Sequence, residues 1–346
     1  MSYLGQNNIV GNYSLHARLY SDIKSKKLSH AYIIEGKKGS GRHLIAMNII
    51  AALACESDNG ALPCLECRSC KSIFEGKCPD VYTISKEDKA SVGIESVRQI
   101  KETVSSSAND LDFKAYIIDD TDTMTVPAQN AFLLTLEQPP VPSYFFLICE
   151  NARALLETIR SRAPVIRTEP VETEDIDQYL CSDKPEKTVS AGARELSKSN
   201  PEEYQTVLIE AGGSIGRALE LLNAKKRAPI NSARQLATGL IESLRKSVQS
   251  ELPISFYRAF SQKRDELIKQ LDYVKTALRD LIVLKKSEDA PLCFFYDREQ
   301  ALEMSSSLSE KALFSAFEKV SRAQKHLSAN SNVRLTLTEL LAGLQK

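Results

Sequence analysis

Short apolar runs alternate with helix-like segments through the first half of the chain. Segments 43–55, 94–104 and 127–138 carry apolar residues at the three- and four-residue spacing of a helix. Short continuous strands between such helices predict a parallel sheet that is covered on both faces. The strand-like runs lie at 31–34, 81–84, 115–118, 144–149 and 165–166.

The pattern changes near Glu169, and only helical periodicity continues beyond it. The candidate domain boundaries are the segments 169–172 and 223–229, and the second contains the basic run Lys225-Lys226-Arg227. A chain of 346 residues has room for two or three domains. We therefore predict an α/β domain over residues 1–170, followed by all-helical domains at 171–226 and 227–346.

Composition and charge exclude several classes of protein. The 45 basic and 45 acidic residues cancel, whereas a protein that coats nucleic acid by charge needs a clustered basic surface. Residues 1–12 lack the basic-then-apolar pattern of a signal peptide, and no apolar run is long enough to span a membrane. We expect a cytoplasmic protein whose cysteines are thiols or metal ligands rather than disulfides.

A glycine-rich turn follows the first predicted strand. Gly36, Gly39 and Gly41 separate that strand from a predicted helix, as in a phosphate-binding P-loop. A P-loop continues with a Lys that contacts the outer phosphates and a Ser or Thr that ligates Mg²⁺, but here Arg42 and His43 take those positions. Mg²⁺ prefers oxygen ligands to imidazole. The turn is either an ordinary glycine turn or, as we favour, a relic P-loop without hydrolysis, and its nucleotide binding is open.

An acidic pair ends the third predicted strand. Asp119 and Asp120 are either a solvated turn or the counterpart of a Walker B element, in which the first acid helps hold Mg²⁺ and the second orients water. The usual second acid is Glu, and Asp120 is one methylene shorter. Together with Arg42 and His43, this departure predicts that the chain does not turn over ATP.

Four of the eight cysteines lie close together in the sequence. Cys55, Cys64, Cys67 and Cys70 follow the spacing C-x8-C-x2-C-x2-C within a module at 55–78. Four thiolates at such spacing suit tetrahedral Zn²⁺, and a closed four-cysteine site leaves no position for a catalytic water. The alternatives are reduced thiols or an iron–sulfur cluster. Cys78 has a looser spacing and stays outside the predicted site.

Six segments follow one another in a fixed order along the chain. They are the glycine loop, the cysteine module, Asp119-Asp120, Leu-Thr-Leu-Glu-Gln-Pro-Pro at 134–140, Thr-Ile-Arg-Ser-Arg at 158–162 and Gly-Ser-Ile-Gly-Arg-Ala-Leu at 213–219. In this order they resemble the bacterial DNA polymerase III clamp-loader subunits, and the delta-prime subunits most of all. The resemblance implies an AAA+ P-loop-type α/β domain with a zinc insert, a small helical lid and an all-α collar domain that joins the subunits.

The same resemblance implies partners and a role for one arginine. The partners are the gamma/tau and delta subunits, the sliding clamp, and primer–template DNA reached through the complex. Arg162 matches the family's arginine finger, which acts on the ATP of a neighbouring subunit, although Ala163 replaces the usual Cys. The glycine loop and the acidic pair correspond to a degenerate nucleotide site, for which ATP or ADP are the candidate ligands.

Three other functions remain open at this point. The chain is similar enough to gamma/tau to be an ATPase in which Arg42 replaces the Lys, but His43 lacks the hydroxyl that such an enzyme needs. It also fits a regulatory subunit that binds nucleotide without hydrolysis. A stand-alone zinc-containing DNA-binding module is disfavoured by the balanced charge.

Overall fold

The computed structural model describes residues 10–57, 62–85, 91–138, 142–182, 185, 187–245 and 252–344. These residues form two compact units. The first comprises the described residues of Met1–Arg194 together with Glu210–Glu220, and the second comprises those of Glu195–Ile209 together with Leu221–Lys346. No helix in the described part of the chain is both long and apolar enough to cross a membrane.

A five-stranded sheet, in which every pairing is parallel, forms the centre of the first unit. The strand order is β2-β3-β4-β1-β5, so the first strand lies between the fourth and the fifth. The predicted parallel α/β architecture is thereby confirmed. The strands are β1 (Ala31–Glu35), β2 (Val81–Ile84), β3 (Lys114–Ile118), β4 (Ser143–Cys149) and β5 (Val165–Arg167).

Both faces of the sheet are buried. Successive side chains of a strand point to opposite faces, and neighbouring residues of the strands belong to two different cores. Ile33 and Ile118 belong to the core on one face, and Ile34 and Ile117 to the core on the other. Each of these four residues is fully buried. The continuous apolar runs in the sequence are therefore the consequence of a sheet with helices on two sides.

Among the described residues, seven helices lie wholly within the part of the first unit before Arg194 and an eighth begins there; the second of these helices follows the glycine loop directly. The 3-10 turns Thr121–Thr123 and Ala152–Ala154 follow β3 and β4. The helices are α1 (Tyr13–Lys24), α2 (Arg42–Leu53), α3 (Arg68–Phe74), α4 (Ile94–Val104), α5 (Val126–Glu137), α6 (Glu157–Arg160), α7 (Thr173–Cys181) and, beginning in this unit, α8 (Lys187–Ser199).

The rest of the described chain is helical, as predicted. A single apolar core in the second unit includes Leu240, Leu278 and Leu341, which come from three different helices. The remaining helices are α9 (Pro201–Ala211), α10 (Ile215–Leu221), α11 (Ala224–Arg245), α12 (Leu252–Ala259), α13 (Arg264–Leu284), α14 (Arg298–Ser307), α15 (Glu310–Ser328) and α16 (Val333–Leu344).

One of the two predicted boundary segments is helical over most of its length. Residues 224–229 form the first turns of α11, and Pro229 lies inside that helix. Arg227, the last residue of the basic run in this segment, is only 5% exposed. Its guanidinium bonds the Glu203 carboxylate at 2.7 Å and the Leu221 carbonyl at 2.7 Å, so this charge is structural. The division into three domains stays a prediction.

Candidate functional site

The glycine loop has the strand–loop–helix geometry that the sequence predicted. Gly39 and Gly41 have φ angles of 78° and 84°, and Gly41 is the residue from which α2 begins. Glycine enters this left-handed region without the steric cost that a Cβ imposes. At Gly36 a Cβ would lie 1.9 Å from Thr168 Oγ1, so no side chain fits there.

The segment that precedes and opens α10 holds this loop from one side. Ser214 Oγ donates to the Lys38 carbonyl at 3.0 Å, and the Gly216 N–H donates to the Gly39 carbonyl at 3.0 Å. A Cβ on Gly216 would lie 2.8 Å from the Cα of Gly39, so the two backbones meet as closely as glycine permits. The sequence motif at 213–219 therefore fixes the shape of the glycine loop.

Arg42 and His43 are the first two residues of α2. The Nδ1 atom of His43 lies 3.4 Å from Oδ1 and 3.3 Å from Oδ2 of Asp119, the residue that follows β3. Asp120 has a φ angle of 52° and opens the 3-10 turn that follows. The structure thus brings together His43 and Asp119, which are 76 positions apart.

A cavity of about 910 Å³ opens beside this contact. Its lining includes residues 39–43 and Asp119, together with the apolar residues Val171, Ile215 and Leu219. The first amide of α2 with a partner in the helix or its cap is that of Ile45, which donates to the Gly41 carbonyl. The preceding amides lie at the helix N-terminus, where anions bind. A cavity lined by apolar side chains and by the N-terminus of a helix has the chemistry of a small-molecule pocket.

The residues at this position do not fit Mg²⁺. A nucleotide-bound Mg²⁺ takes oxygen ligands in near-octahedral geometry, usually a P-loop hydroxyl and an acidic side chain. His43 presents a ring nitrogen at the sequence position where a P-loop has its hydroxyl, and that ring contacts the carboxylate of Asp119. The donor set therefore lacks the oxygen that the metal requires.

The four cysteines of the module converge as the spacing predicted. The Sγ atoms of Cys55, Cys64, Cys67 and Cys70 all lie within 4.8 Å of one another. Cys67 caps α3, because its sulfur accepts the Cys70 N–H at 3.4 Å, and the Cys64 sulfur accepts the Cys67 N–H at 3.3 Å. Residues 58–61 of the module lie outside the described residues. The four sulfurs are close enough to bind one metal ion tetrahedrally.

The thiols of this cluster differ in acidity. Burial pushes the pKa of Cys64 upward, but hydrogen bonds from the Cys67 and Glu66 N–H groups and from Cys55 outweigh it and lower the pKa to about 6. Burial raises the pKa of Cys55 and of Cys70. Backbone N–H groups aimed at sulfur favour thiolate, which is the form that binds a metal.

Arg162 follows α6 at the surface. Its guanidinium lies 2.6 Å from Glu137 Oε1 and donates to the Thr158 carbonyl at 2.9 Å. The side chain is 38% exposed, whereas Ala163, which stands at the family's Cys position, is fully buried. Glu137 belongs to the quoted segment 134–140, of which Pro139 and Pro140 lie outside the described residues.

Two residues that the sequence did not single out hold the segment leading to Arg162. Glu35 accepts the Ala152 N–H at 2.9 Å and Arg167 Nε at 2.7 Å. The Ala152 bond lowers the pKa of Glu35, with burial opposing and Arg167 adding to the effect. Gln129 accepts the Leu156 N–H at 2.8 Å. Neither residue belongs to a spacing motif, so no sequence signal identified them.

Family models match both ends of the chain. The model described as DNA polymerase III, delta subunit, matches residues 11–172, and the model of its C-terminal part matches residues 234–346. The chain belongs to the family of bacterial DNA polymerase III clamp-loader subunits. The resemblance seen in the sequence is thereby confirmed.

Individual clamp-loader proteins show the same relationship. DNA polymerase III subunit delta' of Bacillus subtilis is 35% identical over 162 residues, which are 47% of this chain and 49% of that protein. Subunit tau of the same organism is 33% identical over 45% of this chain and 27% of tau, and Yersinia pestis delta' is 35% identical over 38% and 39%. The chain thus matches about half or less of the length of these relatives.

Proposed function

We propose that this clamp-loader subunit does not hydrolyse ATP and offers Arg162 to the nucleotide of a neighbouring subunit. In that role it helps to assemble a sliding clamp on primed DNA, together with gamma/tau and delta subunits. The observation that carries the proposal is the contact between His43 and Asp119, because these residues occupy the two positions whose oxygen atoms hold the metal in a hydrolysing P-loop protein.

Loss of hydrolysis follows from the chemistry of three positions. Arg42 has the charge of the P-loop Lys but not its compact shape, and His43 cannot supply a hydroxyl oxygen to Mg²⁺. Asp120 is shorter than the usual Glu. Phosphoryl transfer depends on charge neutralisation by the metal and on a positioned water, so these changes together remove both requirements.

The position of Arg162 supports a role in trans. An arginine finger stabilises the charge that develops on the transferred phosphoryl group, and it must therefore reach outside its own subunit. Arg162 is partly exposed, and its pairing with Glu137 costs little to exchange because exposed ion pairs contribute at most about 1 kcal/mol. A phosphate carries more charge than one carboxylate and offers the guanidinium a stronger partner.

The cysteine module fits a structural zinc ion. Cys55, Cys64, Cys67 and Cys70 would hold it, and four sulfur ligands leave no open position for substrate or water. Bound zinc would join the segment after α2 to the N-terminus of α3. We place this module within an AAA+ domain at 1–170, followed by a lid at 171–226 and a collar at 227–346.

ATP turnover of a reconstituted complex tests the proposal. The complex contains this chain, gamma/tau, delta, the clamp and primed DNA, and Arg162→Ala is compared with wild type. Turnover at the neighbouring site should fall strongly, because an arginine supplied in trans contributes about 10³–10⁵-fold in related phosphoryl-transfer systems. Assembly of the complex, measured by gel filtration, should be unchanged.

Arg18→Ala is the matched control, because Arg18 is also an exposed arginine paired with a carboxylate, that of Asp22 at 3.8 Å. It should leave turnover at the wild-type rate. An unchanged rate with Arg162→Ala would refute the arginine role. Hydrolysis by the isolated wild-type chain would favour the second candidate, a gamma/tau-like ATPase, to which the similarity to tau also points.

A further inference from the structure

Glu137 and Arg162 meet where two helices are fixed on the same apolar core. Glu137 is the last residue of α5, and Arg162 lies two residues after the end of α6. Leu136, Ile159 and Ala163, which stand next to them in the chain or one turn away, are fully buried in that core. Because a close-packed core leaves the backbone little room to move, any exchange of partners at Arg162 depends on the two exposed side chains.

The guanidinium of Arg162 is held by its own subunit on two nitrogens. Its Nη2 lies 2.6 Å from Oε1 of Glu137. Its Nη1 donates to the Thr158 carbonyl at 2.9 Å and to Ser161 Oγ at 3.3 Å. A guanidinium binds phosphate bidentately, with N–H groups from two of its nitrogens. A phosphate that took both Nη nitrogens would therefore compete with these contacts.

Glu137 is the strongest competitor among these contacts. Thr158 and Ser161 offer neutral oxygens, whereas a hydrogen bond between two charged groups is about twice as strong as a neutral one. A phosphate beside Arg162 would also bring a second negative charge close to the Glu137 carboxylate, and like charges repel. Glu137 must consequently release the guanidinium when the arginine engages a phosphate, and its 41% exposed side chain is then solvated by water.

We propose that Glu137 is a positioning residue that holds Arg162 in a resting position within its own subunit. The charge of Glu137 sets how readily the guanidinium passes to the nucleotide of a neighbouring subunit. This inference rests on the role proposed for Arg162 and deepens it. Because the ion pair is exposed, its effect on that exchange is at most about fivefold, which corresponds to about 1 kcal/mol.

Turnover of the reconstituted complex with Glu137→Gln tests the inference, because glutamine keeps the size of the side chain and removes its charge. At saturating ATP we expect turnover at the neighbouring site to rise about twofold to fivefold. The KM for ATP should stay within about twofold of wild type, since the arginine acts on the transition state. Glu137→Gln should have no effect in a chain that also carries Arg162→Ala.

Asp22→Asn is the matched control for turnover. It also removes the charge of a carboxylate that pairs with an exposed arginine, Arg18 at 3.8 Å. The complex with this variant should turn over ATP at the wild-type rate.

The arginine-specific reagent phenylglyoxal measures the contact in the isolated full chain. It reacts with the deprotonated guanidine, which a neighbouring carboxylate disfavours. Arg162 should be modified about twofold to fivefold faster in Glu137→Gln than in wild type, as measured by mass spectrometry of the peptides. Arg18 is the internal control, because its partner Asp22 is unchanged and its rate should be equal in both proteins.

Three outcomes overturn the inference. They are an equal rate of Arg162 modification in both proteins, a turnover of Glu137→Gln at or below the wild-type rate, and a rise in turnover that persists with Arg162→Ala. The proposed function is decided separately, by the loss of turnover in Arg162→Ala alone. If that loss occurs while Glu137→Gln changes nothing, the role of Glu137 is refuted and that of Arg162 stands.

Discussion

At the scale of single residues, His16 on α1 is an unusual choice for a buried position. Its side chain is fully buried, and neither ring nitrogen has a hydrogen-bond partner among the described residues. Burial lowers the pKa of His16 from 6.5 to about 4, since a charged imidazole is poorly solvated there. The residue is therefore neutral in the folded protein and takes up a proton more readily when unfolded.

Stability should fall as the solution is acidified through the range between these two pKa values. The unfolded chain binds more protons than the folded chain between about pH 6.5 and about pH 4, and the resulting loss of stability is complete below about pH 4. Between about pH 7 and about pH 5 this residue should account for a loss of about 2 kcal/mol in the free energy of unfolding. Urea titrations at both pH values, on wild type and His16→Leu, measure it.

The variant should lose less stability on acidification than wild type, because leucine does not titrate. His326→Leu replaces an exposed histidine and should follow the wild-type pH dependence. Equal pH dependence in wild type and His16→Leu would show that His16 does not titrate in this range. Carboxylates whose pKa is lowered in the fold, such as Asp80, act at lower pH, so they do not obscure the comparison.

At the scale of elements, we expect the cysteine module to depend on metal for its conformation. We expect the purified chain to contain one zinc ion per molecule, and Cys67→Ser to lose most of it, because serine is a weak zinc ligand and Cys67 also caps α3. Zinc content by elemental analysis and thermal unfolding with and without a chelator measure both effects. Binding should release protons, since the ligands are thiolates.

Cys293→Ser provides the control for this measurement. Cys293 is exposed and lies outside the cluster, so its replacement should not change the zinc content. An unchanged metal content in Cys67→Ser would exclude the predicted ligand set. Iron in place of zinc, with the visible absorption of a cluster, would favour the iron–sulfur alternative.

The bounds of strands and helices that are marked by a local apolar pattern could be predicted from the sequence to within a few residues. Apolar continuity located β2 at Val81–Ile84, and helical spacing located α4 at Ile94–Val104. The segment 223–229 was predicted as a boundary because a basic run and a proline usually mark a break, whereas residues 224–229 are helical in the structure. The burial of Arg227 against Glu203 outweighs that local preference, and a contact over 24 positions is not visible in a local pattern.

The candidate site also combines features that local sequence predicts with features that depend on contacts between distant segments. Cysteine spacing predicted a convergence that depends on short loops and a cap, all within one stretch of chain. The contact between His43 and Asp119 could not be predicted, because it depends on the sheet order that places β3 and β1 on either side of β4. Asp80 likewise accepts the N–H groups of Asn109, Asp110 and Leu111, a role that nothing in its own segment indicates.

At the scale of the whole molecule, the proposed function divides one reaction between subunits. This chain would lack the metal-binding hydroxyl and supply the arginine, whereas the neighbour would supply the metal and the nucleotide. Catalytic charge stabilisation by an arginine then depends on contact between chains. Repair of the nucleotide loop in this chain alone should consequently restore binding but not turnover.

The variant Arg42→Lys/His43→Thr tests this division. We expect it to bind ATP with Mg²⁺ at least about tenfold more tightly than wild type, because a compact ammonium and a hydroxyl return to the phosphates and the metal. Phosphate release by the isolated double variant should stay at background for two reasons. Arg162 acts on the nucleotide of a neighbouring subunit and not on that of its own chain, and Asp120 remains one methylene shorter than the usual Glu. His43→Thr alone separates the metal effect from that of the ammonium. Turnover by the isolated double variant at the rate of the assembled complex would mean that all catalytic groups reside in one chain, and a purely structural role for Arg162 would replace the proposed one.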